Sequence, residues 1–366
     1  MFSATKFVVA GVIVALFGGF LLTGALQQQL SDESTPVVGV STSAVLSPTI
    51  ESATDLDPIT DPSGFVTTVI DVAPMQPRQL VRTSDAVWAL SGRSAARIDL
   101  DTHEVDIIKL PVRVLDRQIV DGSLWGTNTK NKKLRLVEID LATGELLNTY
   151  PMPQADRHWA WSAVIAGDLW FWGWNDQLAR FDLVDREFTI ERAAGSFNPG
   201  LCCLATDDAI WITRNPTYGN QVLRRFDVET LEVTDKLPIP RLIPGTTADG
   251  DIWVWQGGPD VVTMKLLVVD EASRAITDVI YVSSRGPQDK SRLALSGGGI
   301  WALLWEPNEV VTVVSRIDIA SGEITHTIDV GGTPESPLAI DDAIWVPVPE
   351  ARRVIVITPE TVAATA

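Results

Sequence analysis

The sequence predicts an all-β fold, a seven-bladed β-propeller that is closed by an N-terminal strand and preceded by an N-terminal transmembrane helix. Two repeated motifs and one apolar run support this prediction. A tryptophan motif and an aspartate turn recur in the same phase along the chain, and a long apolar segment lies near the N-terminus.

A short acidic or glycine-containing turn followed by an aliphatic residue and a tryptophan occurs seven times. Counted along the sequence, successive tryptophans are 37, 45, 41, 42, 48 and 44 residues apart. One four-stranded propeller blade takes roughly 40 to 50 residues, so we expect one tryptophan in each blade. The seven structural tryptophans are Trp88, Trp125, Trp170, Trp211, Trp253, Trp301 and Trp345.

A hydrophobic residue followed by aspartate occurs 11 to 17 positions after six of these tryptophans. An aspartate carboxylate can accept backbone N–H bonds at the start of a turn, and glycine adopts the positive φ that such turns need. The clearest copies, at Asp140 and Asp318, have that glycine. The pattern predicts one such turn per blade. The six aspartates are Asp99, Asp140, Asp182, Asp227, Asp270 and Asp318.

Residues 64–72 are similar in sequence to residues 322–330, which precede the last tryptophan. The chain ends soon after Glu360 without another strand of this kind. We therefore expect the N-terminal segment to supply the outer strand of blade seven, which pairs an edge that would otherwise be open. The predicted propeller spans 63–361 and is followed by a short tail, 362–366.

Residues 7–26 contain no charged side chain, and a helix of that length spans a hydrocarbon core of roughly 30 Å. Lys6 precedes the run and the charges that follow it are acidic, which favours a cytoplasmic segment 1–6 and a propeller outside the cytoplasm. We predict an uncleaved signal-anchor in the cell membrane. The alternative is a signal peptide cleaved near residues 23–25, which would release a secreted propeller. Residues 27–62 are rich in Ser, Thr, Pro and Asp, which predicts a disordered tether.

The formal net charge is −18, which argues against binding to nucleic acid because phosphate neutralisation needs clustered Lys and Arg. A closed ring needs no partner to cover its edges, so we expect a monomer. No His or Cys spacing indicates a zinc site, and no phosphate loop, nucleophile elbow or complete calcium loop occurs. We therefore predict no metal site and no cofactor.

Propeller ligands commonly bind where the outer strand connects to the next inner strand and the second strand connects to the third. We call this side the upper face. Its inward-leading connections carry several cations and one acid, Glu335. In an acidic protein such a collar could attract an anionic ligand into the channel mouth; alternatively, the cations pair with neighbouring acids such as Asp116, Asp156 and Asp289. The cations are Arg78, Arg82, Arg113, Arg117, Arg157, Arg241, Lys290 and Arg292.

Blade three is unusually aromatic around its first two strands. Strand alternation predicts that Trp170, Trp172 and Trp174 share one face and that the first two pack between blades. Trp174 is instead a candidate to bind a sugar, peptide or aromatic ligand on the upper face, together with Trp159 and His158. The alternative is that these tryptophans belong to the core. His158 is the one histidine placed for chemistry.

Cys202 and Cys203 precede the inner strand of blade four, close to the predicted channel. They are either two thiols on alternate sides of a strand or an oxidised pair that forms a rigid lid at the channel mouth. A disulfide between neighbours distorts the intervening peptide, because a Cα separation of about 3.8 Å is below the usual disulfide range.

The tryptophan motifs and the turns at Asp140 and Asp318 cover roughly 80% of the chain and resemble the bacterial propellers with streptogramin-lyase-like, YVTN-type and quinoprotein-like repeats. The resemblance implies the propeller fold. In the lyases, activity depends on histidine and glutamate near the upper face with a magnesium ion, and His158 is the one histidine that this sequence places on the upper face. Some quinoprotein dehydrogenases carry a vicinal disulfide over their cofactor, with which Cys202 and Cys203 are comparable.

The sequence therefore predicts a membrane-tethered, extracytoplasmic propeller that binds a small molecule or a protein partner through its upper face. The alternative is a lyase-like or quinoprotein-like enzyme with a metal or cofactor at the channel mouth. That activity would need groups such as His158, Asp156, Glu306 or Glu335 to converge, because catalytic groups must lie within hydrogen-bond reach of one another or of one shared water.

Overall fold

A computed structural model gives the fold of the chain, which divides into two units, Met1–Asp55 and Leu56–Ala366. All described residues lie in the second unit. They are residues 59–61, 64–153, 159–173, 177–192, 204–213, 222–239, 242–248, 250–257, 264–282, 293–304 and 313–360. Within these ranges no helix has the length and apolar character needed to cross a membrane. The predicted span 7–26, most of the tether 27–62 and the tail 362–366 lie outside the described residues.

Seven antiparallel sheets form the seven blades, which confirms the predicted all-β, seven-bladed propeller. The strands of blade seven and of blades one to three are β1 (Ile59–Asp61), β2 (Phe65–Asp71), β3 (Gln79–Arg82), β4 (Ala86–Leu90), β5 (Ser94–Asp99), β6 (Val105–Lys109), β7 (Leu115–Val120), β8 (Ser123–Lys130), β9 (Lys133–Asp140), β10 (Leu146–Pro151), β11 (Trp159–Ile165), β12 (Asp168–Gly173), β13 (Gln177–Phe181) and β14 (Phe188–Arg192). Those of blades four to seven are β15 (Leu204–Ala205), β16 (Ala209–Thr213), β17 (Val222–Asp227), β18 (Val233–Pro238), β19 (Leu242–Ala248), β20 (Asp251–Gly257), β21 (Met264–Asp270), β22 (Ala275–Val282), β23 (Ala294–Ser296), β24 (Gly299–Ala302), β25 (Val313–Asp318), β26 (Ile324–Asp329), β27 (Leu338–Ile340), β28 (Ala343–Val348) and β29 (Arg353–Pro359).

The first strand of each blade forms the inner edge of its sheet, since first strands of neighbouring blades contact each other over most of the ring, for example β7 with β11 and β23 with β27. In blades one to six the four strands follow in sequence order from the channel outward. In blade seven the order from the channel is β27, β28, β29, β2 and β1. The inner strands therefore line the channel, and the two sets of connections form two opposite faces.

The ring closes through the N-terminal strand, as the sequence predicts. All seven residues of β2 pair with β29, from Phe65 opposite Pro359 to Asp71 opposite Arg353. The ring of Phe65 also meets blade six, with centroids 5.2 Å from Trp301 and 4.8 Å from His326. One addition was not expected: β1, within the predicted tether, pairs with the outer edge of β2 and gives this blade a fifth strand.

The tryptophan repeat supplies the packing between blades. All seven repeat tryptophans are buried, because the second strand of each blade is covered on both faces by neighbouring sheets. Trp170 and Trp172, for example, share a core cluster with Ile210 and Phe226 of blade four. The core is therefore a ring of layers between sheets, which explains why no disulfide is needed to hold the blades together.

The aspartate turns join the third and fourth strands on the face opposite the upper face, which we call the lower face. In the turn after β9, Asp140 Oδ1 accepts the backbone N–H groups of Ala142 and Thr143, both at 2.8 Å. The fourth residue after each aspartate has a positive φ. Glycine fills this position only twice, at Gly144 and Gly322; the other four residues are His103, Arg186, Leu231 and Arg274.

Each of these four side chains packs on the preceding blade. The His103 ring stacks edge-on against Trp345, with centroids 5.5 Å apart, and Leu231 packs against the cluster that contains Trp170. The Arg186 guanidinium lies 4.9 Å from the ring centroid of Trp125. The turn after β21 follows the same rule, because Arg274 lies 3.0 Å from Asp235 of blade four. Contacts between blades thus offset the cost of a left-handed conformation.

Candidate functional site

The two faces of blades seven, one and two differ sharply in charge. Their six described upper connections, 72–78, 91–93, 110–114, 131–132, 330–337 and 349–352, carry five cations and two acids. Their five described lower turns, 83–85, 100–104, 121–122, 141–145 and 341–342, carry seven acids and no Lys or Arg. The cations are Arg78, Arg93, Arg113, Lys132 and Arg352, and the two acids are Glu335 and Glu350.

The acids of the two repeat motifs largely serve to hold the fold. The turn aspartates accept backbone N–H groups, and these hydrogen bonds lower the pKa of Asp99, Asp140 and Asp318 below the usual value. In blade four, the buried Arg225 lies 2.6 Å from Asp208 and 3.2 Å from Asp227. The acidic repeat motif is therefore explained by turns and ion pairs of the lower face.

A β-bulge in the inner strand of blade two shapes the channel mouth. The register of β7 on β8 shifts between Leu115, which pairs with Thr127, and Gln118, which pairs with Trp125. Opposite the bulge is Gly126, where an added Cβ would lie 2.4 Å from a methyl group of Val114. Only glycine lets the two strands approach this closely.

Neighbouring blades hold the bulge on both sides. Gln79 of blade one donates its side-chain amide to the carbonyl oxygen of Arg117 at 3.0 Å. Ser162 of blade three donates its hydroxyl to the carbonyl oxygen of Asp116 at 3.0 Å. Both carbonyls of the bulge are thus satisfied from outside the blade, which fixes the backbone from which Arg117 projects.

Arg117 is half-buried, and its surroundings disfavour its positive charge. Within the described part of the chain its Nε is buried without a hydrogen-bond partner. Burial lowers the pKa of Arg117 below its usual value; the charges of Arg78 and Arg113 act in the same direction, and Asp116 and Glu335 oppose them. Among the described ion pairs Arg78 lies 3.0 Å from Glu335, whereas neither Arg113 nor Arg117 has a carboxylate within ion-pair distance in the described part of the chain. We call Arg78, Arg113 and Arg117 the arginine cluster.

Asp116 lies behind this cluster in an unusual backbone conformation, with φ of 47°. Its carboxylate accepts a hydrogen bond from the hydroxyl of Thr127 at 2.9 Å. Burial nevertheless raises the pKa of Asp116, and the nearby Arg117 opposes that rise only in part. Asp116 therefore influences Arg117 only through its charge at a distance, and the two side chains are not within ion-pair distance of each other.

The structure places only some of the sequence-predicted site residues. Arg78, Arg117 and Glu335 lie together at the channel mouth, and Arg113 lies on the adjoining connection, where its side chain would be 3.5 Å from a Cβ added at Gly92. Arg82, expected in this collar, lies instead at the lower end of β3 and pairs with Asp341 of blade seven at 3.2 Å. The reason is that Arg78 precedes β3, whereas Arg82 is the fourth and last residue of that strand.

The remaining candidates lie outside the described residues. Only the backbone of Trp159 is described, as the first residue of β11. Among the residues that can be described, no group of three or more His, Cys, Asp or Glu side chains is arranged to hold a metal ion. The candidates outside the described residues are His158, Trp174, Cys202, Cys203, Arg241 and Arg292, together with Arg157, Asp156, Asp289, Lys290 and Glu306.

Sequence reasoning missed one part of the cationic surface, the hairpin between β8 and β9. Its two turn residues, Asn131 and Lys132, both have positive φ, as expected of a two-residue hairpin turn. The flanking Lys130 and Lys133 are exposed, so three lysines add to the positive charge of the upper face on blade two. The signal was available in the run Lys-Asn-Lys-Lys, because asparagine favours positive φ.

Comparison with known proteins shows the fold and no closer relationship. Neither a protein-family model nor a curated protein sequence matches this chain. Hydrazine synthase of Kuenenia stuttgartiensis is similar in structure, with a TM-score of 0.59 and 11% identity over 79% of this chain and 97% of that one. BamB from Moraxella catarrhalis has a TM-score of 0.50 and 12% identity over 80% and 96%. Because 1026 solved chains match, and such folds host unrelated functions, the likeness does not select one function.

Proposed function

We propose that this protein is a membrane-tethered, extracytoplasmic scaffold that binds a protein partner through its upper face. The observation that carries the proposal is the contrast in charge between the faces of blades seven, one and two. The described upper connections of these blades carry five cations and two acids, whereas their described lower turns carry seven acids and no Lys or Arg. A surface of one sign on a protein of opposite net charge favours and orients a complementary partner.

The proposed membrane anchor is the apolar run 7–26, which is long enough to span a bilayer, and the tether 27–62 connects it to the propeller. Pairing of β1 with β2 then ties the tether to the outer edge of blade seven. A partner on the upper face would meet the channel mouth, and the tether would meet the rim of the ring. The two attachments would therefore not compete for the same surface.

Site-specific photo-crosslinking of the full-length protein in its native membrane tests the proposal. A photoreactive residue replaces one exposed residue at a time, either on the upper face at Arg93, Lys132 or Glu350, or on the lower face at Asp101 or Glu145. We expect one discrete protein adduct from the upper positions and none from the lower ones. Equal crosslinking from both faces, or adducts confined to the lower face, would refute the proposal.

Two measurements check the tether separately. Alkaline extraction should leave the full-length protein in the membrane fraction, and protease added to the extracytoplasmic side should reach the propeller. Release by alkali would contradict the anchor while leaving the upper-face interaction open to the crosslinking result.

A further inference from the structure

We infer that the arginine cluster is an anchoring pocket for a carboxylate of an acidic segment in the partner polypeptide. This inference rests on the proposed function and assigns the chemistry by which the upper face recognises its partner. It starts from Arg117, which is half-buried and has no carboxylate within ion-pair distance among the described residues. A partly buried cation is poorly solvated, so a carboxylate that pairs with its accessible side gains more there than at an exposed cation.

The cluster is held ready for such a ligand. The carbonyl of Arg117 is fixed by Gln79 of blade one, and its neighbour in the bulge is fixed by Ser162 of blade three. The backbone therefore need not be ordered when a ligand binds, which reduces the entropic cost of binding. Arg78 adds a guanidinium that already holds one carboxylate, Glu335, at 3.0 Å, and this contact shows that a carboxylate fits beside the cluster.

The surroundings favour an extended acidic segment. Beyond the cluster, Arg93 and the three lysines of the β8–β9 hairpin continue the positive surface across blades one and two. An acidic polypeptide can place one carboxylate on Arg117 and others along these exposed cations. A flat bilayer surface meets exposed lysines easily, but it does not reach a half-buried guanidinium in the wall of a channel. The geometry thus favours a protruding side chain over a lipid headgroup.

Titration with a fluorescently labelled octaglutamate peptide tests the inference, using the full-length protein in a non-ionic detergent and fluorescence anisotropy as the readout. Arg117→Gln should weaken binding by about 10- to 100-fold, because it removes a partly buried, charge-assisted hydrogen bond. Lys132→Gln should weaken it by less than about fivefold, since exposed ion pairs contribute little. Arg82→Gln is the matched control, because it removes the same charge from the lower face.

Further variants separate recognition from folding and from general electrostatics. Arg113→Gln lies outside the bulge and should also weaken binding, so the inference stays testable if Arg117→Gln melts at a lower temperature. Asp116→Asn keeps an acceptor for Thr127 and removes an opposing charge, so it should tighten binding severalfold. At about 0.5 M salt the effect of Lys132→Gln should vanish while that of Arg117→Gln persists, because partly buried charges are screened less.

Three results would overturn the inference. The first is unchanged binding in Arg117→Gln and Arg113→Gln, and the second is an equal loss in Arg82→Gln. The third is displacement of the peptide by inorganic phosphate, or by phosphatidylserine in mixed micelles, at a lower concentration of anionic groups than unlabelled octaglutamate requires. If upper-face crosslinks form while Arg117→Gln binds octaglutamate normally, the inferred carboxylate site is wrong and the proposed scaffold function is still supported. If Arg117→Gln weakens octaglutamate binding but no upper-face crosslinks form, the proposed scaffold function is wrong.

Discussion

Replacing Gly322 with alanine should destabilise the propeller far more than the same change at Gly331. Both glycines have positive φ, 71° and 67°, so both variants incur the cost of a left-handed alanine, about 1–2 kcal/mol. Both also gain about 0.4–1 kcal/mol, because alanine restricts the unfolded chain. The backbone contribution is therefore shared, and any difference between the variants comes from what the new methyl group meets.

At Gly322 the added Cβ would meet blade five. It would lie 2.1 Å from the carbonyl oxygen of Tyr281 and 3.2 Å from a methyl group of Ile280, whereas at Gly331 nothing lies within 4 Å. A backbone oxygen cannot swing away as a flexible side chain can, so the turn must move relative to β22. Overpacking of this kind costs about 1–3 kcal/mol. We therefore expect a loss of about 2–4 kcal/mol in the free energy of unfolding for Gly322→Ala and about 1 kcal/mol for Gly331→Ala.

Thermal unfolding followed by tryptophan fluorescence measures the difference on the full-length protein. For a domain of this size about 1 kcal/mol corresponds to roughly 2 °C or slightly more, so Gly322→Ala should melt about 2–6 °C below Gly331→Ala. Equal melting temperatures would refute the reasoning. They would show that the aspartate turn does not need its close approach to the preceding blade.

Three further predictions concern ring closure, pH and the bulge. Phe65→Ala should lower the free energy of unfolding by about 3–5 kcal/mol, since it leaves a cavity where the closing strand packs on Trp301. The control Val184→Ala, at a residue that is 88% exposed, should cost almost nothing. Equal losses in the two variants would contradict closure of the ring by β2. The pKa values of the turn aspartates in the folded protein lie below the unfolded value of about 3.9. These aspartates therefore stabilise the fold fully when the pH is above the unfolded value, and the stabilisation is lost as the pH falls through the folded pKa values. A melting temperature that does not change from pH 5 to pH 3 would contradict this. Gly126→Ala should cost about 1–3 kcal/mol by overpacking against Val114 and should also weaken octaglutamate binding, whereas retention of both properties would separate Arg117 from the bulge.

The fold was predictable from the sequence because each blade repeats the same physical solution. A tryptophan at one fixed position and an aspartate at another recur in phase, and the closing strand has a near copy in residues 322–330. The fifth strand β1 was not predictable, because three residues in a Ser-, Thr- and Pro-rich stretch show no strand pattern. Their pairing depends on an outer edge of β2 that exists only once the ring is closed.

The candidate site was only partly predictable. The sequence placed Arg78, Arg117 and Glu335 on one face, because each lies near the start of an inner strand. It did not show that Arg82 belongs to the other end of the same strand, since the length of β3 is set by pairing with β4. It also gave no indication that Asp116 and Arg117 form a bulge, although Gly126 on the facing strand marks such a close approach.

The four non-glycine residues at the positive-φ position of the aspartate turns explain how a ring with no disulfide between its described blades holds its register. At this turn position glycine would be the cheapest choice locally, yet His103, Arg186, Leu231 and Arg274 each reach the preceding blade. A side chain there adds a contact between blades at a cost of about 1–2 kcal/mol in backbone conformation. Contacts with the preceding blade thus offset the local backbone strain at this position and help to hold the ring together. Because these contacts occupy the lower face, they leave the upper connections free to vary, and that is the face on which we place recognition.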